Sequence, residues 1–531
     1  MLDNFTERRR YNAVTDFVDA NVARGLGSKI AFIDPERSLS YGALQARSIR
    51  FANALAARGL EPEKRVALLL HDTVDYPVAF WGAVRLGAVP IPLNTFLNAS
   101  QYGYMLADSR AAALVVAASL APTIAPLLDR LPHLKTIILV GADAAAFAGR
   151  AVHLFEELLA AADATPVTAD TLSDEVAFWL YTSGSTGDPK GVRHVHSSLM
   201  ATARLYGQGV LGIREDDVVH SAAKLFFAYG LGNAMTFPLS VGATAALWPG
   251  RPSPDSVLDM MRRHHPTIFY AVPSLYTALL AHPEIGEGAG SDRLRICVSA
   301  GEALPAHIGR GWRETVGVDV LDGIGSTELL QTFLSNRPGD IRYGSTGKPV
   351  PGYDARIVDD KGCDLGAEEI GELIIRGPSA GEGYWNQRAK SRRSFAGEWT
   401  YTGDKYRRDE EGYYYYCGRT DDMFKVSGMW VSPFDVEAAL VSHDAVLEAA
   451  VIGREDADGL VKPKAFIVLK RGVVADDRLL ETLKLHVKAQ AGPWKYPRWI
   501  ETRSDLPRTA TGKIQRYKLR EEDSLNQGDR A

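Results

Sequence analysis

Cysteine is nearly absent from this chain: Cys297, Cys363 and Cys417 are the whole supply in 531 residues. An odd, scattered set excludes a disulfide scaffold and offers none of the paired spacings of a zinc site, so a reducing cytoplasm is the expected compartment. Charge of one sign is lacking too. The 60 basic residues face 65 acidic ones, and the net charge of -5 excludes the broad basic field by which proteins hold nucleic acid or an anionic membrane. No long apolar run occurs, and the opening residues mix Asp3 and Glu7 with Arg8, Arg9 and Arg10 with no apolar stretch behind them, so neither export nor membrane insertion is expected. Internal repeats and heptads are missing as well. These absences leave small-molecule chemistry, in a chain long enough for at least two domains and a large core.

What is present alternates. Val14, Phe17, Val18 and Val22 recur at helical spacing, Ile30-Ala31-Phe32-Ile33 follows as a strand, and a helix is expected from Leu44 to Leu60. Short apolar runs at Val66-Ala67-Leu68-Leu69-Leu70, Ala88-Val89-Pro90-Ile91-Pro92 and Ala113-Leu114-Val115-Val116 then alternate with helical stretches, the pattern of a parallel sheet with crossover helices. The same alternation resumes around Phe269, Ile296 and Leu373. After the aromatic strand Tyr413 to Cys417 the character changes to a compact βα pattern, which places a domain boundary at 420/421.

The densest chemical stretch is Tyr181-Thr182-Ser183-Gly184-Ser185-Thr186-Gly187-Asp188-Pro189-Lys190-Gly191-Val192, directly behind the apolar run Val176 to Leu180. Glycines give the backbone room to fold around an anion, and four hydroxyls, backbone amides and Lys190 can meet phosphate oxygens. It is not a Walker A loop, because Lys190 follows Pro189 and precedes Gly191 rather than Ser or Thr. A helix is expected after it, and on that helix His194 and His196 would point about 200° apart, which makes them structural rather than metal ligands. The loop resembles the signature of the acyl-adenylate-forming superfamily.

Four further motifs occur in that superfamily's order, so the resemblance covers nearly the whole chain. Gly325-Ser326-Thr327-Glu328 suits a phosphate contact from Thr327 and a magnesium contact from Glu328, since magnesium takes one or two carboxylates plus substrate phosphates. In Tyr401-Thr402-Gly403-Asp404 the resemblance implies that Asp404 accepts hydrogen bonds from the ribose. Gly418-Arg419-Thr420-Asp421-Asp422 resembles the interdomain hinge, with Arg419 near the ribose and Asp421 the pivot. Pro507-Arg508-Thr509-Ala510-Thr511-Gly512-Lys513 resembles the terminal motif whose lysine, here Lys513, enters the other domain's site. Gly301-Glu302-Ala303 and Asp322-Gly323-Ile324 resemble the segments flanking adenine. Taken alone, each of these would read as an ordinary turn.

The resemblance implies a fold with a large N-terminal adenylation domain of layered sheets and helices, 1–420, and a smaller α+β C-terminal domain, 421–531, that rotates about the hinge. It also implies a two-step ligase using ATP, magnesium and coenzyme A, in which rotation withdraws Lys513 and brings in Lys425, Ser427, Gly428 and Trp430 to line a pantetheine tunnel. Lys224 to Ala234, with Gly323-Ile324-Gly325, looks most like the benzoate-CoA ligase subgroup, with Phe227, Ala228, Tyr229, Gly325, Gln331 and Thr332 as the aryl-acid pocket. Gln331 and Thr332 depart from that subgroup toward polarity, from which a hydroxyl or amino group on the ring is expected. A short- or medium-chain acyl-CoA synthetase and a noncatalytic nucleotide-binding sensor are the alternatives; retention of both Glu328 and Lys513 argues against the sensor. A homodimer, and a lysine acetyltransferase acting on Lys513, are the expected macromolecular partners.

One competing motif, Gly377-Pro378-Ser379-Ala380-Gly381, fits the G-x-S-x-G nucleophile elbow. Its context fails, because Glu382-Gly383-Tyr384-Trp385 puts glycine and two aromatics where a helix should open.

Overall fold

A computed structural model describes residues 8–142, 144–147, 149–182, 188–426, 429–456, 459–508 and 514–528. The expected α/β alternation is realised in two largely parallel sheets. One runs in the order Val89–Pro92, Arg65–Leu69, Ala113–Ala117, Thr136–Val140, His153–Leu154, with every neighbouring pair parallel. The other has nine strands: Lys348–Pro349, Thr332–Ser335, Val320–Gly325, Ile296–Ser299, Ile268–Ala271, Val218–Ser221, Thr244–Ala246, Ile30–Ile33 and Ser38–Ser40. Its interior is parallel and its edges antiparallel. Uninterrupted apolar runs such as Ile268 to Ala271 are what a strand covered on both faces requires.

Between the sheets lies the helix Asp75–Arg85, buried along its entire length. Its Phe80, Trp81 and Val84 share one core with Val66 and Leu68 of the first sheet and Val219 and Val298 of the second. A helix apolar all round belongs in such a place. Arg85 is tolerated there because Asp19 pairs with it at 2.6 Å.

The helix expected after the glycine loop is instead a strand. Lys190–Val195 pairs antiparallel with Val176–Thr182, bringing Thr182 opposite Lys190, and a helix begins only at His196. The ladder from Val176 opposite Val195 to Thr182 opposite Lys190 fixes this, and the rings of Trp179 and Tyr181 pack in ordinary contact beside Gly191. The two strands are therefore the arms of a hairpin.

A third, antiparallel sheet is built from Asp354–Val358, Gly371–Arg376, Trp399–Arg408, Phe395–Ala396 and Tyr414–Arg419. Among the described residues no later strand joins it. Phe424–Val426 pairs only with Met429–Val431, and Val446–Glu455, Val461–Leu469 and Trp499–Thr502 form a sheet of their own. Two separate apolar cores serve this C-terminal part, one including Val426, Val436 and Leu483, the other Ile452, Phe466 and Leu519.

Candidate active site

Ser299 and Asp322 face each other in register on neighbouring parallel strands, so Gly301 to Ala303, which leave the sheet after Ser299, lie at the same carboxyl end as Gly323 and Ile324, which continue their strand against Thr332–Ser335. That end of a parallel sheet is where ligands collect. Gly301 has φ +98°, a conformation side chains rarely adopt, which keeps this rim open to a flat group. Asp322 is buried, and burial holds its carboxyl well above the usual range against hydrogen bonds that pull it down.

Beside this rim the expected phosphate and metal residues converge. Glu328 stands half-buried in the turn after Val320–Gly325, and its Oε1 accepts a 2.7 Å hydrogen bond from the hydroxyl of Tyr384. The ring of the same tyrosine lies 4.3 Å from the Lys190 ammonium, which the hairpin projects from the opposite side. Burial pulls Lys190 below the ordinary lysine range, with Glu328 opposing and Lys390 and Arg419 adding to the shift. Tyr384 was not singled out from the sequence as a functional residue. The available signal was an aromatic pair, Tyr384-Trp385, inside a glycine-rich stretch.

Asp404 and Arg419 face each other across the Trp399–Arg408 and Tyr414–Arg419 strands and pair at 3.0 Å. Arg419 also donates to the Thr402 carbonyl at 3.0 Å, and Asp404 raises its guanidinium further above the normal range. The guanidinium feels Glu328 as well, so both residues read as ribose contacts belong to the same electrostatic cluster.

The expected aryl pocket is assembled by Gln331. Its Nε2 donates to the carbonyls of Ala228 and Tyr229 at 3.2 and 3.1 Å, while its Oε1 accepts from the Thr332 N–H and Oγ1, each at 3.0 Å. Gly325 lies against the Gln331 backbone, where a Cβ would come within 2.6 Å of the carbonyl oxygen. Tyr229 donates its hydroxyl to Val298 O at 3.1 Å, across the strand ends. Phe227 caps the start of the short helix Ala228–Leu231 and meets Phe226 edge-on at 4.6 Å. The polar atoms of Gln331 and Thr332 are thus occupied by protein. Contrary to the expectation drawn from their polarity, they do not by themselves call for a ring substituent.

Asp72 also escaped the sequence reading. Buried beside Lys224, it accepts the Leu225 N–H through both oxygens, at 3.3 and 3.2 Å, and so anchors the segment entering the pocket. Burial pushes its carboxyl up to about 6, with Lys224 opposing. Gly230 is required by the same crossing, since a Cβ would meet the Lys224 carbonyl oxygen at 2.1 Å.

Several expected residues lie outside the described ones: Ser183, Gly184, Ser185, Thr186, Gly187, Ser427, Gly428 and Lys513, with the side chain of Trp430. Their frames are described. Thr182 and Lys190 flank the hairpin tip, a bridge between Arg508 and Ile514 flanks the terminal motif, and exposed Lys425 sits on its short ribbon opposite Trp430. Thr327 stands in the turn beside Glu328, and Asp421 in the exposed turn after Arg419.

The rejected readings are settled by burial. Ser379 is fully buried, donating to Leu329 O at 2.7 Å with the Tyr353 hydroxyl 2.6 Å away, so it is no nucleophile. His194 stacks on Phe178, His196 takes the Ala13 N–H at Nδ1, and no metal-binding cluster occurs among the described residues.

The profile of the AMP-binding enzyme family matches residues 19–385, and that of the AMP-binding enzyme C-terminal domain matches 435–513. The chain is 55% identical over 514 residues to a 4-hydroxybenzoate--CoA/benzoate--CoA ligase of Rhodopseudomonas palustris, covering 97% of this chain and 94% of that one. It is 52% identical to the benzoate--CoA ligase of Thauera aromatica, covering 96% of each. Among solved structures, a benzoate CoA ligase from Burkholderia xenovorans LB400 superposes with a TM-score of 0.89 at 48% identity, covering 96% of this chain and 100% of that one. An anthranilate CoA ligase in complex with anthranoyl-AMP gives a TM-score of 0.92 at 41% identity, covering 98% of each.

Proposed function

The chain belongs to the AMP-binding enzyme family and is an ATP-dependent aryl-CoA ligase of the benzoate-CoA ligase subgroup, and from that premise we propose how its residues divide the work. Benzoate, or a hydroxy- or amino-substituted benzoate, is its substrate class. A carboxylate oxygen attacks the α-phosphorus of ATP, the α–β phosphoanhydride bond breaks, and pyrophosphate leaves. The sulfur of coenzyme A then bonds to the acyl carbon, the bond to the phosphate oxygen breaks with its electron pair on AMP, and the thiol proton is released.

In this reading Gly301, Glu302, Ala303, Asp322, Gly323 and Ile324 flank the adenine, and Asp404 and Arg419 hold the ribose. The 182–190 hairpin tip cradles the phosphates. Lys513 offsets the repulsion between carboxylate and α-phosphate in the first step. The donor set at Glu328 fits a hard cation, because Tyr384 holds Oε1 and leaves the second oxygen to ligate. When bound with the nucleotide, magnesium supplies neutralisation of the pyrophosphate charge. The aryl ring rests among Phe227, Ala228, Tyr229, Gly325, Gln331 and Thr332. The junction at Gln331 is the observation that carries this assignment: one buried amide joins the Ala228–Tyr229 turn to the strand carrying Gly325, so the acid site and the nucleotide rim share a wall.

A division at 420/421 is supported by the hydrogen bonds on either side of Asp421. The Thr420 N–H donates to Gly403 O of the large part at 2.9 Å, whereas the Asp422 carboxylate pairs with Arg520 of the C-terminal helix at 2.8 Å. Rotation there would bring Lys425, Ser427, Gly428 and Trp430 toward the thiol. Free Cys297, Cys363 and Cys417 support a reducing, cytoplasmic setting, and among the described residues no helix is long and apolar enough to cross a membrane. Acetylation of Lys513 by a lysine acetyltransferase would remove the charge the first step needs. A homodimer would leave each site whole, since every residue assigned above lies in one chain.

ATP–pyrophosphate exchange across a panel of aromatic acids, with thioester detection, tests both halves. Exchange and thioester are expected with benzoate, while Lys513→Ala should lose exchange and still form thioester from supplied benzoyl-adenylate. No exchange with any acid would return the sensor reading; an equal fall of both half-reactions in a folded mutant would remove Lys513 from its role.

A further inference from the structure

The segment Gly381 to Trp385 is the part of the site with no assigned function. It runs as a connector between the hairpin and the metal turn. The Gly381 N–H donates to the Glu328 carbonyl at 2.8 Å; Glu382 and Trp385 donate to Arg193 O and Gly191 O at 2.9 and 2.8 Å; Arg193 returns a bond to Gly383 O at 3.2 Å. Close packing fixes it further, for a Cβ on Gly381 would meet Val192 Cγ1 at 2.8 Å. From this clamped backbone Tyr384 projects a nearly buried side chain, 5% exposed, whose ring edges onto Phe395 at 5.4 Å. Its hydroxyl reaches Glu328 Oε1 at 2.7 Å and lies 3.3 Å from Ser394 Oγ, and its ring faces Lys190 at 4.3 Å.

Lys190 and Glu328 are opposite charges on facing elements, close enough to feel one another, yet no ion pair joins them. Tyr384 stands between. We propose that Tyr384 is a positioning residue for the magnesium nucleotide: its ring holds the Lys190 ammonium apart from Glu328, and its hydroxyl fixes the carboxylate with one oxygen turned toward the metal. Without it the two charges would close on each other, and both nucleotide and metal would have to break that pair before binding. A hydrogen bond from a neutral donor to a charged acceptor, and a cation over an aromatic face, are the two interactions suited to hold opposite charges separate. The inference rests on the reading of Glu328 as the magnesium residue.

Nucleotide binding measured calorimetrically without the acid substrate, with and without magnesium, separates the roles. Tyr384→Phe keeps the ring and loses the hydroxyl, so it should weaken magnesium-ATP by about tenfold or more while leaving metal-free ATP within about twofold. Tyr384→Leu removes the ring as well and should weaken metal-free ATP too. Glu328→Gln should erase the difference that magnesium makes, and adding Tyr384→Phe to it should cost nothing further. If Glu328→Gln leaves the magnesium dependence intact, the metal assignment itself is wrong. If it erases that dependence but Tyr384→Phe binds magnesium-ATP like the unaltered enzyme, or weakens both forms of ATP equally, the positioning role of Tyr384 is overturned.

Discussion

His196 is held neutral by two things at once: burial pulls its ring down to about 4, and its Nδ1 is occupied by the Ala13 N–H at 3.2 Å, a bond that protonation would destroy. His194 and His220 are likewise lowered to about 4 by burial. A folded-state value below the unfolded 6.5 means that the unfolded chain binds more protons in that interval. The stability contributed is therefore complete above pH 6.5 and is lost as pH falls toward 4, at about 1.4 kcal/mol per pH unit for each ring. His196→Asn keeps an acceptor for Ala13 and removes the titration. Its unfolding free energy, followed by denaturant titration from pH 7 to 4, should show a slope shallower by about one proton. An unchanged slope would mean His196 titrates alike in both states.

At the scale of the element, the short helix at 228–231 and the strand at 332–335 are joined by a single amide. Gly232 is the residue that lets them meet: a Cβ there would lie 2.1 Å from Gln331 Nε2 and 3.0 Å from Phe237 Cζ. Gly232→Ala should expel the Gln331 side chain and leave the Ala228 and Tyr229 carbonyls without their donor, a cost of about 1 to 3 kcal/mol. On the proposed assignment, the Ala228–Tyr229 turn that loses its donor belongs to the acid side of the shared wall. KM for benzoate is expected to rise about tenfold while KM for ATP stays within about twofold. Steady-state kinetics with each substrate varied in turn distinguishes this from a general loss of fold, which would lower the active fraction and leave both KM values alone.

For the molecule as a whole, the C-terminal part is tied together around the turn that follows Arg419. Arg516 pairs with Glu437 through two bonds of 3.0 and 2.6 Å and approaches Asp422 at 3.7 Å, and Arg520 takes the other Asp422 oxygen. Residues from Asp422 onward are thereby fastened to the C-terminal helix. A rotation centred on Asp421 would break the bonds from the Asp422 and Met423 N–H groups to Arg419 O, each 3.0 Å, and would part the ring of Tyr416 from that of Phe434, 5.7 Å away. Asp421→Pro fixes φ at the pivot. Adenylation should survive it, and thioester formation should fall about a hundredfold, the cost of misplacing a reacting group by an ångström. Rapid-quench measurement of each half-reaction checks this, and unaltered rates in both would rule out a pivot at this position.

The sequence by itself determined the α/β alternation, the strands from Ile30 onward and the order of the nucleotide motifs, and through the family resemblance it marked Lys190, Glu328, Asp404, Arg419 and Lys513 as candidates for the chemistry. These are legible because apolar periodicity and hydroxyl, glycine and charge spacing are local properties of the chain. Only the tertiary structure decided that the segment after the glycine loop is a strand, because its backbone groups find their partners in Val176–Thr182. It also decided that Gln331 and Thr332 satisfy each other and the turn at 228–229 rather than waiting for a ring substituent. Tyr384 came from the same source: its partners are 56 residues away at Glu328 and, farther still, at Lys190. Hydrogen-bond saturation and charge separation depend on which distant groups arrive within 3 or 4 Å, and no spacing along one chain encodes that directly.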